Sequence, residues 1–327
     1  MDKRNTLRNT LVVTGPTATG KSTLAIRLAK ELPGEVLSAD SMQIYRGMDI
    51  GTAKVSREEE TSIPHHLLSI REPGDRFSVA EYQDLARSVI ESVLLGDRTP
   101  VLVGGTALYI DSVLYNYEYR KEDTTSQREI SAPTEQLWAM LQREDPASAK
   151  RLHPNDRKRI MRALAYWQIH GKSIADNLAA KESPTQQYPA IWIGLILPRE
   201  DLYARINQRV DQMMEQGLLH EVEGLRDAGL HVESQAGQAI GYKQLLDYLA
   251  GTSSLEEAVE RIKRESRRYA KRQLSWLRKK KEILWLDAIR VAQDTQLEKD
   301  IAILRHGSQE AVLALCRRAG LLYEGEV

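Results

Sequence analysis

The sequence predicts an α/β fold: a phosphate-loop parallel-sheet core with helices on both faces, a helical insertion and a helical C-terminal region. Three observations predict it. The octapeptide Gly15-Pro16-Thr17-Ala18-Thr19-Gly20-Lys21-Ser22 has the spacing G-x-x-x-x-G-K-[ST], between the apolar run Leu11-Val12-Val13 and the helical spacing of Leu24, Ala25, Leu28 and Ala29. Continuous apolar runs then alternate with helical ones, as strands buried on both faces do. After Asn116 the chain turns polar and helical, until Ala190-Ile191-Trp192-Ile193-Gly194-Leu195-Ile196-Leu197 restores a buried-strand pattern. The domains expected are therefore a core of residues 1–116 and 190–327 and a helical insertion of residues 117–189.

In order, the first strand feeds the loop. Its glycines let backbone N–H groups turn toward an anion, and the helix that follows adds the positive end of its dipole. Gly15, Thr17, Ala18, Thr19, Gly20, Lys21, Ser22 and Thr23 are the candidate phosphate ligands. Lys21 supplies a point charge, and the Ser22 hydroxyl is the expected Mg²⁺ ligand. The chain is thus expected to bind a diphosphate or triphosphate. Glu35-Val36-Leu37-Ser38-Ala39 reads as a second strand ending at Asp40, and residues 79–95 have helical apolar spacing. Pro100-Val101-Leu102-Val103 reads as a strand ending at Gly104-Gly105-Thr106. Asp40 and Thr106 thus stand with the loop at strand C-terminal ends, where parallel sheets bind ligands. Residues 117–133 are polar, 134–178 helical, 181–188 a polar linker, and 199–327 mostly helical.

Composition narrows the class. A chain of 327 residues with 42% hydrophobic residues can bury a substantial core. Cys316 is the single cysteine, which excludes an intramolecular disulfide and a cysteine-based zinc site and suits a reducing compartment. No apolar run approaches a membrane span, and the first residues lack a signal-peptide core. A cytoplasmic chain with no membrane partner, acting as a monomer, is expected. The net charge is zero, with 46 basic and 46 acidic residues, yet residues 261–281 hold eleven positive charges against Glu265 alone. So one-sided a run suggests a polyanion partner, although a solvated helix face has the same signature. A second basic cluster includes Lys158, Arg159 and Arg162.

Several segments together carry a resemblance. They are the phosphate loop, the block from Ser38-Ala39-Asp40-Ser41-Met42-Gln43 through Asp49-Ile50-Gly51-Thr52-Ala53-Lys54, Ile63-Pro64-His65-His66, Gly104-Gly105-Thr106-Ala107-Leu108-Tyr109, Gly241-Tyr242-Lys243-Gln244, and Ala270-Lys271-Arg272-Gln273-Leu274-Ser275-Trp276. From about Val13 to Arg278 the chain resembles the bacterial tRNA dimethylallyltransferases, the IPP transferase family. The resemblance implies transfer of a dimethylallyl group from dimethylallyl diphosphate to N6 of the adenosine immediately 3′ of the tRNA anticodon. It also implies Mg²⁺ as cofactor and the tRNA anticodon stem-loop as partner.

The residue types suit that chemistry. Allylic C–O cleavage places negative charge on a diphosphate that Lys21 and a metal on Ser22 can hold. An exocyclic adenine amine is a weak nucleophile that a carboxylate can orient and deprotonate. The resemblance gives that role to Asp40, which could instead hold Mg²⁺ through water. Thr106 is placed near the reacting centre and could equally cap the next helix. Arg209 matches the family's diphosphate-binding arginine and could equally be a surface residue. Asp40, Ser41, Met42 and Gln43 match one tRNA-contacting segment, and Lys158, Arg159, Ile160, Met161 and Arg162 match a second. Arg264, Arg268, Lys271 and Arg272 would form a phosphate-following stripe on one helix, with Leu274 and Trp276 anchoring its other side. His65 and His66 read as structural hydrogen-bonding residues. An isopentenyltransferase acting on free adenine nucleotides would not need the basic helix or the insertion. A small-molecule kinase would leave the Asp40–Lys54 block unexplained.

Overall fold

The computed structural model describes residues 9–117, 132–173, 185–297, 300 and 308–325. The chain divides into two compact units, residues 1–117 with 186–327 and residues 118–185.

The larger unit is built on one sheet. Its strands are β1 (Thr10–Thr14), β2 (Gly34–Ser38), β3 (His65–His66), β4 (Thr99–Gly104), β5 (Ala190–Ile196) and β6 (Leu284–Asp287), in the order β3-β2-β4-β1-β5-β6. Every pairing is parallel, and Val12 stands opposite Leu102 on one side and Trp192 on the other. Side chains alternate across a strand, so neighbours in β1 feed different cores. Val12 packs with Leu37, Leu102 and Trp192 beneath Tyr82 and Ile90 of the Val79–Leu95 helix. Leu11 and Val13 pack with Val36, Val101 and Ile193 beneath Leu24 and Leu28 of the Lys21–Glu31 helix. This double cover is why the strands read as unbroken apolar runs. The predicted fold class is the one observed.

Two strands escaped the sequence reading. β3 has two residues, too few to show a period, and β6 has four, in a region expected to be mostly helical. The predicted helix over residues 79–95 is observed, started by a capping box between Ser78 and Glu81. The basic run lies on the Leu255–Leu277 helix as far as Arg272, with Arg278, Lys279, Lys280 and Lys281 just past its end; the helix opens on a second capping box, Ser254 with Glu257. Cys316 is buried on the Gln309–Arg318 helix, and burial pushes its thiol up to about 11.

In the smaller unit the helices Thr134–Glu144, Pro146–Ala149 and Arg157–His170 share a core of Leu137, Leu141, Ile160, Ala163 and Leu164. The helical reading of residues 134–178 is broken at Asp145, where the Asp145 side chain caps the short helix that begins at Pro146. The end of that reading, and the polar segments expected around 117–133 and 181–188, fall largely on residues 118–131 and 174–184, outside the described residues.

Candidate active site

The phosphate loop leaves β1 at Thr14. Gly15 has φ 140, and a Cβ there would lie 2.3 Å from the Leu195 carbonyl oxygen of β5, so only glycine fits the turn. With Gly20 left-handed ahead of Lys21, the loop delivers the N-terminus of the Lys21–Glu31 helix to the C-terminal edge of the sheet. Thr17, Lys21 and Ser22 face a cavity of about 350 Å³. The Thr19 hydroxyl is buried and donates to the Pro16 carbonyl at 2.9 Å, and Thr23 is exposed, so neither of these two side chains faces the cavity.

Three cations line it: Lys21, Arg209 and Arg272. The Lys21 ammonium donates to the Pro16 carbonyl at 2.9 Å, and burial lowers its pKa to about 8, helped by the like charge of Arg209 and opposed by Asp40. Arg209, on the Arg199–Glu215 helix, donates to the Thr17 hydroxyl at 3.2 Å; burial lowers its pKa too. A site that desolvates two like charges side by side is poised for an anion.

Asp40 lines the same cavity, close enough for its charge to act on both Lys21 and Arg209. Its position follows from strand-end pairing. The Ala39 N–H donates to Val103 O at 2.7 Å, the Thr106 N–H to Ala39 O at 3.2 Å, and the Ser41 N–H to the Thr106 hydroxyl at 3.2 Å. The carboxylate accepts from the Met42 N–H at 2.9 Å. Thr106 occupies the N-cap position of the Ala107–Leu114 helix, but its side chain makes no cap hydrogen bond and braces the Asp40 turn instead. Ser41 and Met42 line the cavity with Asp40. Gln43 lines it too, yet its amide is engaged by the protein: it accepts from Ser38 Oγ at 2.8 Å and donates to the Thr52 and Ala53 carbonyls at 3.2 and 3.3 Å.

The remaining wall is largely apolar, with Ile206, Val210, Met213, Leu218, Ile240 and Ile262 on four segments. Sequence reasoning assigned no role to this wall. It also assigned none to Gln273 and Tyr269, which reach the cavity from the basic helix. The Tyr269 phenol is pushed up to about 12, first by burial and then by the Asp40 charge. Glu221 was missed as well. Its carboxylate accepts from the N–H groups of Asp49, Ile50 and Gly51 at 3.0, 2.7 and 3.2 Å and from the Tyr242 hydroxyl at 2.6 Å, pinning the loop that carries Gly51, Thr52 and Ala53 into the cavity wall.

Ser22 and Asp40 offer a hydroxyl and a carboxylate, hard oxygen donors that suit Mg²⁺, and among the described residues no cluster of three or more His, Cys, Asp or Glu forms a metal site. An ion here would take its other ligands from phosphate oxygens and water. His65 and His66 are occupied elsewhere, on the Ile63 carbonyl at 2.7 Å and the Glu35 carboxylate at 2.6 Å.

The basic run separates into two sets. Arg261, Lys263 and Lys280 pair with Asp247, Asp211 and Asp111 at 2.9, 2.7 and 2.6 Å. Arg264, Arg268, Lys271 and Arg272 are exposed along the helix, Arg268 bonded to Glu265 at 2.6 Å. Leu274 packs on the core as expected, whereas Trp276 both packs on the core and borders the groove lined by Arg268, Lys271, Arg272 and Lys279. In the smaller unit Lys158, Arg159 and Arg162 are exposed and Met161 is half-buried. Ile160 corrects the sequence reading: its side chain is fully buried in that unit's core and out of reach of a ligand, because contiguous residues on a helix cannot share one face. No helix among the described residues is long and apolar enough to cross a membrane.

The family model described as IPP transferase matches residues 43–280. The chain is 47% identical over 300 residues to the tRNA dimethylallyltransferase of Anoxybacillus flavithermus, covering 90% of this chain and 94% of that one. Its structure is similar to that of the full-length tRNA isopentenylpyrophosphate transferase of Bacillus halodurans, with TM-score 0.68, 41% identity and coverage of 95% and 99%. It is also similar to a eukaryotic dimethylallyltransferase acting on tRNA, with TM-score 0.77, 28% identity and coverage of 98% and 81%.

Proposed function

Since this chain belongs to the IPP transferase family and is a tRNA prenyltransferase, we propose that it joins the dimethylallyl group of dimethylallyl diphosphate to N6 of the adenosine immediately 3′ of the anticodon. One observation carries the details: the phosphate loop, the cations Lys21, Arg209 and Arg272, a carboxylate and an apolar wall enclose one cavity.

The diphosphate lies on the loop and the N-terminus of the Lys21–Glu31 helix, between Lys21 and Arg209. The dimethylallyl tail turns to the wall of Ile206, Val210, Met213 and Ile262, where its apolar surface leaves water. The adenine amine enters beside Asp40. As the allylic C–O bond breaks, its electron pair passes to the diphosphate oxygen, and Lys21 and Arg209 meet the growing charge without reorganising. The amine lone pair forms the new C–N bond, and the proton released from N6 passes to Asp40. Ser22, with diphosphate oxygens, would hold Mg²⁺, which supplies further neutralisation of the leaving group when bound. Thr106 keeps the Asp40 turn in place. The exposed arginines and lysines of the basic helix hold tRNA phosphates, as do Lys158, Arg159 and Arg162. A cytoplasmic setting, where both substrates occur, is part of this reading.

Labelled dimethylallyl diphosphate offered with tRNA, or with AMP, tests it. Label should enter tRNA and be lost from a transcript whose position 37 is not adenosine. Transfer to AMP alone, or tRNA-independent ATP hydrolysis, would overturn the assignment.

A further inference from the structure

We propose that Gln273 is a positioning residue for the diphosphate: it holds the phosphate loop against the end of β4 and so joins the basic helix to the leaving-group site. This rests on the transfer reaction proposed above.

The Leu255–Leu277 helix buries Ala258, Ile262, Ala270 and Leu277 at helical spacing, and Gln273 lies on that same face, 6% exposed. A primary amide is costly to bury unless both of its ends are bonded. Both are. The Thr17 N–H donates to Gln273 Oε1 at 2.9 Å, and Gln273 Nε2 donates to the Gly105 carbonyl at 3.2 Å. The approach is so close that a Cβ on Gly105 would lie 2.0 Å from that nitrogen.

The partners are the informative part. Thr17 is the third residue of the loop, ahead of the Lys21 and Ser22 N–H groups, which start the helix and have no acceptor within it. Thr17 is held from two sides, its N–H by Gln273 and its hydroxyl by Arg209 at 3.2 Å. Gly105 directly precedes Thr106, whose hydroxyl braces the Asp40 turn. One buried amide therefore spans the diphosphate side and the amine side of the cavity. Its helix neighbours Lys271 and Arg272 are exposed, and Arg272 also lines the cavity. Without the amide, the Thr17 N–H loses its acceptor, the loop apex relaxes, and the anchor of Arg209 relaxes with it.

The test uses Gln273→Leu and Gln273→Met, which keep the volume and remove both bonds. Binding of inorganic diphosphate to the tRNA-free protein should weaken by about tenfold or more, as expected when a buried donor is orphaned. KM for dimethylallyl diphosphate should rise in step. Affinity for tRNA should stay within about twofold, a contrast that a general loss of structure would not give. If Gln273→Leu fails to fold, Gln273→Met carries the measurement. Unchanged diphosphate affinity, or equal losses of diphosphate and tRNA binding, would overturn the proposal. A native protein that moves no label to tRNA, but whose diphosphate affinity still depends on Gln273, would sink the reaction and spare the positioning role.

Discussion

Raising the pH should strip the diphosphate site of one charge well before it titrates the arginine or tyrosine beside it. Burial and the guanidinium of Arg209 bring Lys21 down to about 8 in the empty site. Diphosphate between the two cations favours the ammonium, so the bound form stays protonated to higher pH. Affinity must then fall as pH rises through about 8, because binding has to put a proton back. With that value, about three quarters of the free protein carries the ammonium at pH 7.5 and about 3% at pH 9.5, which weakens binding roughly 25-fold. The measurement is calorimetric titration of dimethylallyl diphosphate without tRNA at both pH values. Lys21→Arg supplies the control, since arginine does not titrate in this range; its affinity should be nearly flat, and any titration of the ligand itself cancels in the comparison. Parallel losses in the two proteins, or a decline in the native protein that begins only above pH 10, would refute the reasoning. The same depression has a sign for stability. The folded value lies below the ordinary 10.5, so charged Lys21 destabilises the empty fold below pH 8, and that contribution fades as pH rises to 10.5.

Three further outcomes follow from the geometry. Asp40→Asn should slow single-turnover transfer about 10²-fold or more while tRNA affinity in a filter assay changes little, and a near-native rate would remove the proton-accepting role. Replacing Arg264 and Arg268 together with Gln should weaken tRNA binding and lower the salt slope of log K by about 1.4 to 1.8, with the diphosphate requirement intact; an unchanged slope would make the stripe a solvated face. Glu221→Ala orphans three backbone N–H groups and the Tyr242 hydroxyl, so the fold should lose about 2 kcal/mol and amide exchange at residues 49–53 should quicken. Native exchange rates at those residues in the variant would show that the loop is held by something else.

What the sequence made legible follows from the range of the interactions involved. The phosphate loop and the Asp40 strand end are local: their geometry is set by residues within one strand–turn–helix unit, so spacing alone locates them. The sheet is legible for a similar reason, since burial on both faces is written into Val12, Val36, Val101 and Ile193 as unbroken apolar runs. Glu221 and Gln273 act across 170 and 256 residues, a distance over which periodicity carries nothing. Gln273 nevertheless left a signal. On the Leu255–Leu277 helix the buried stripe runs through Ala258, Ile262, Ala270 and Leu277, and a glutamine three residues after Ala270 and four before Leu277 falls inside it. A polar side chain on a buried stripe must have partners, and Tyr269 and Ser266 reach the same cavity from the adjoining positions. Ile160 erred in the opposite direction: a contact segment taken as a block ignored that Ile160, Ala163 and Leu164 form the buried face while Lys158, Arg159 and Arg162 form the exposed one. Sorted by face, the basic helix has two sides, with Arg264, Arg268 and Lys271 exposed outward and the Gln273 amide turned inward to the loop that would hold the leaving group.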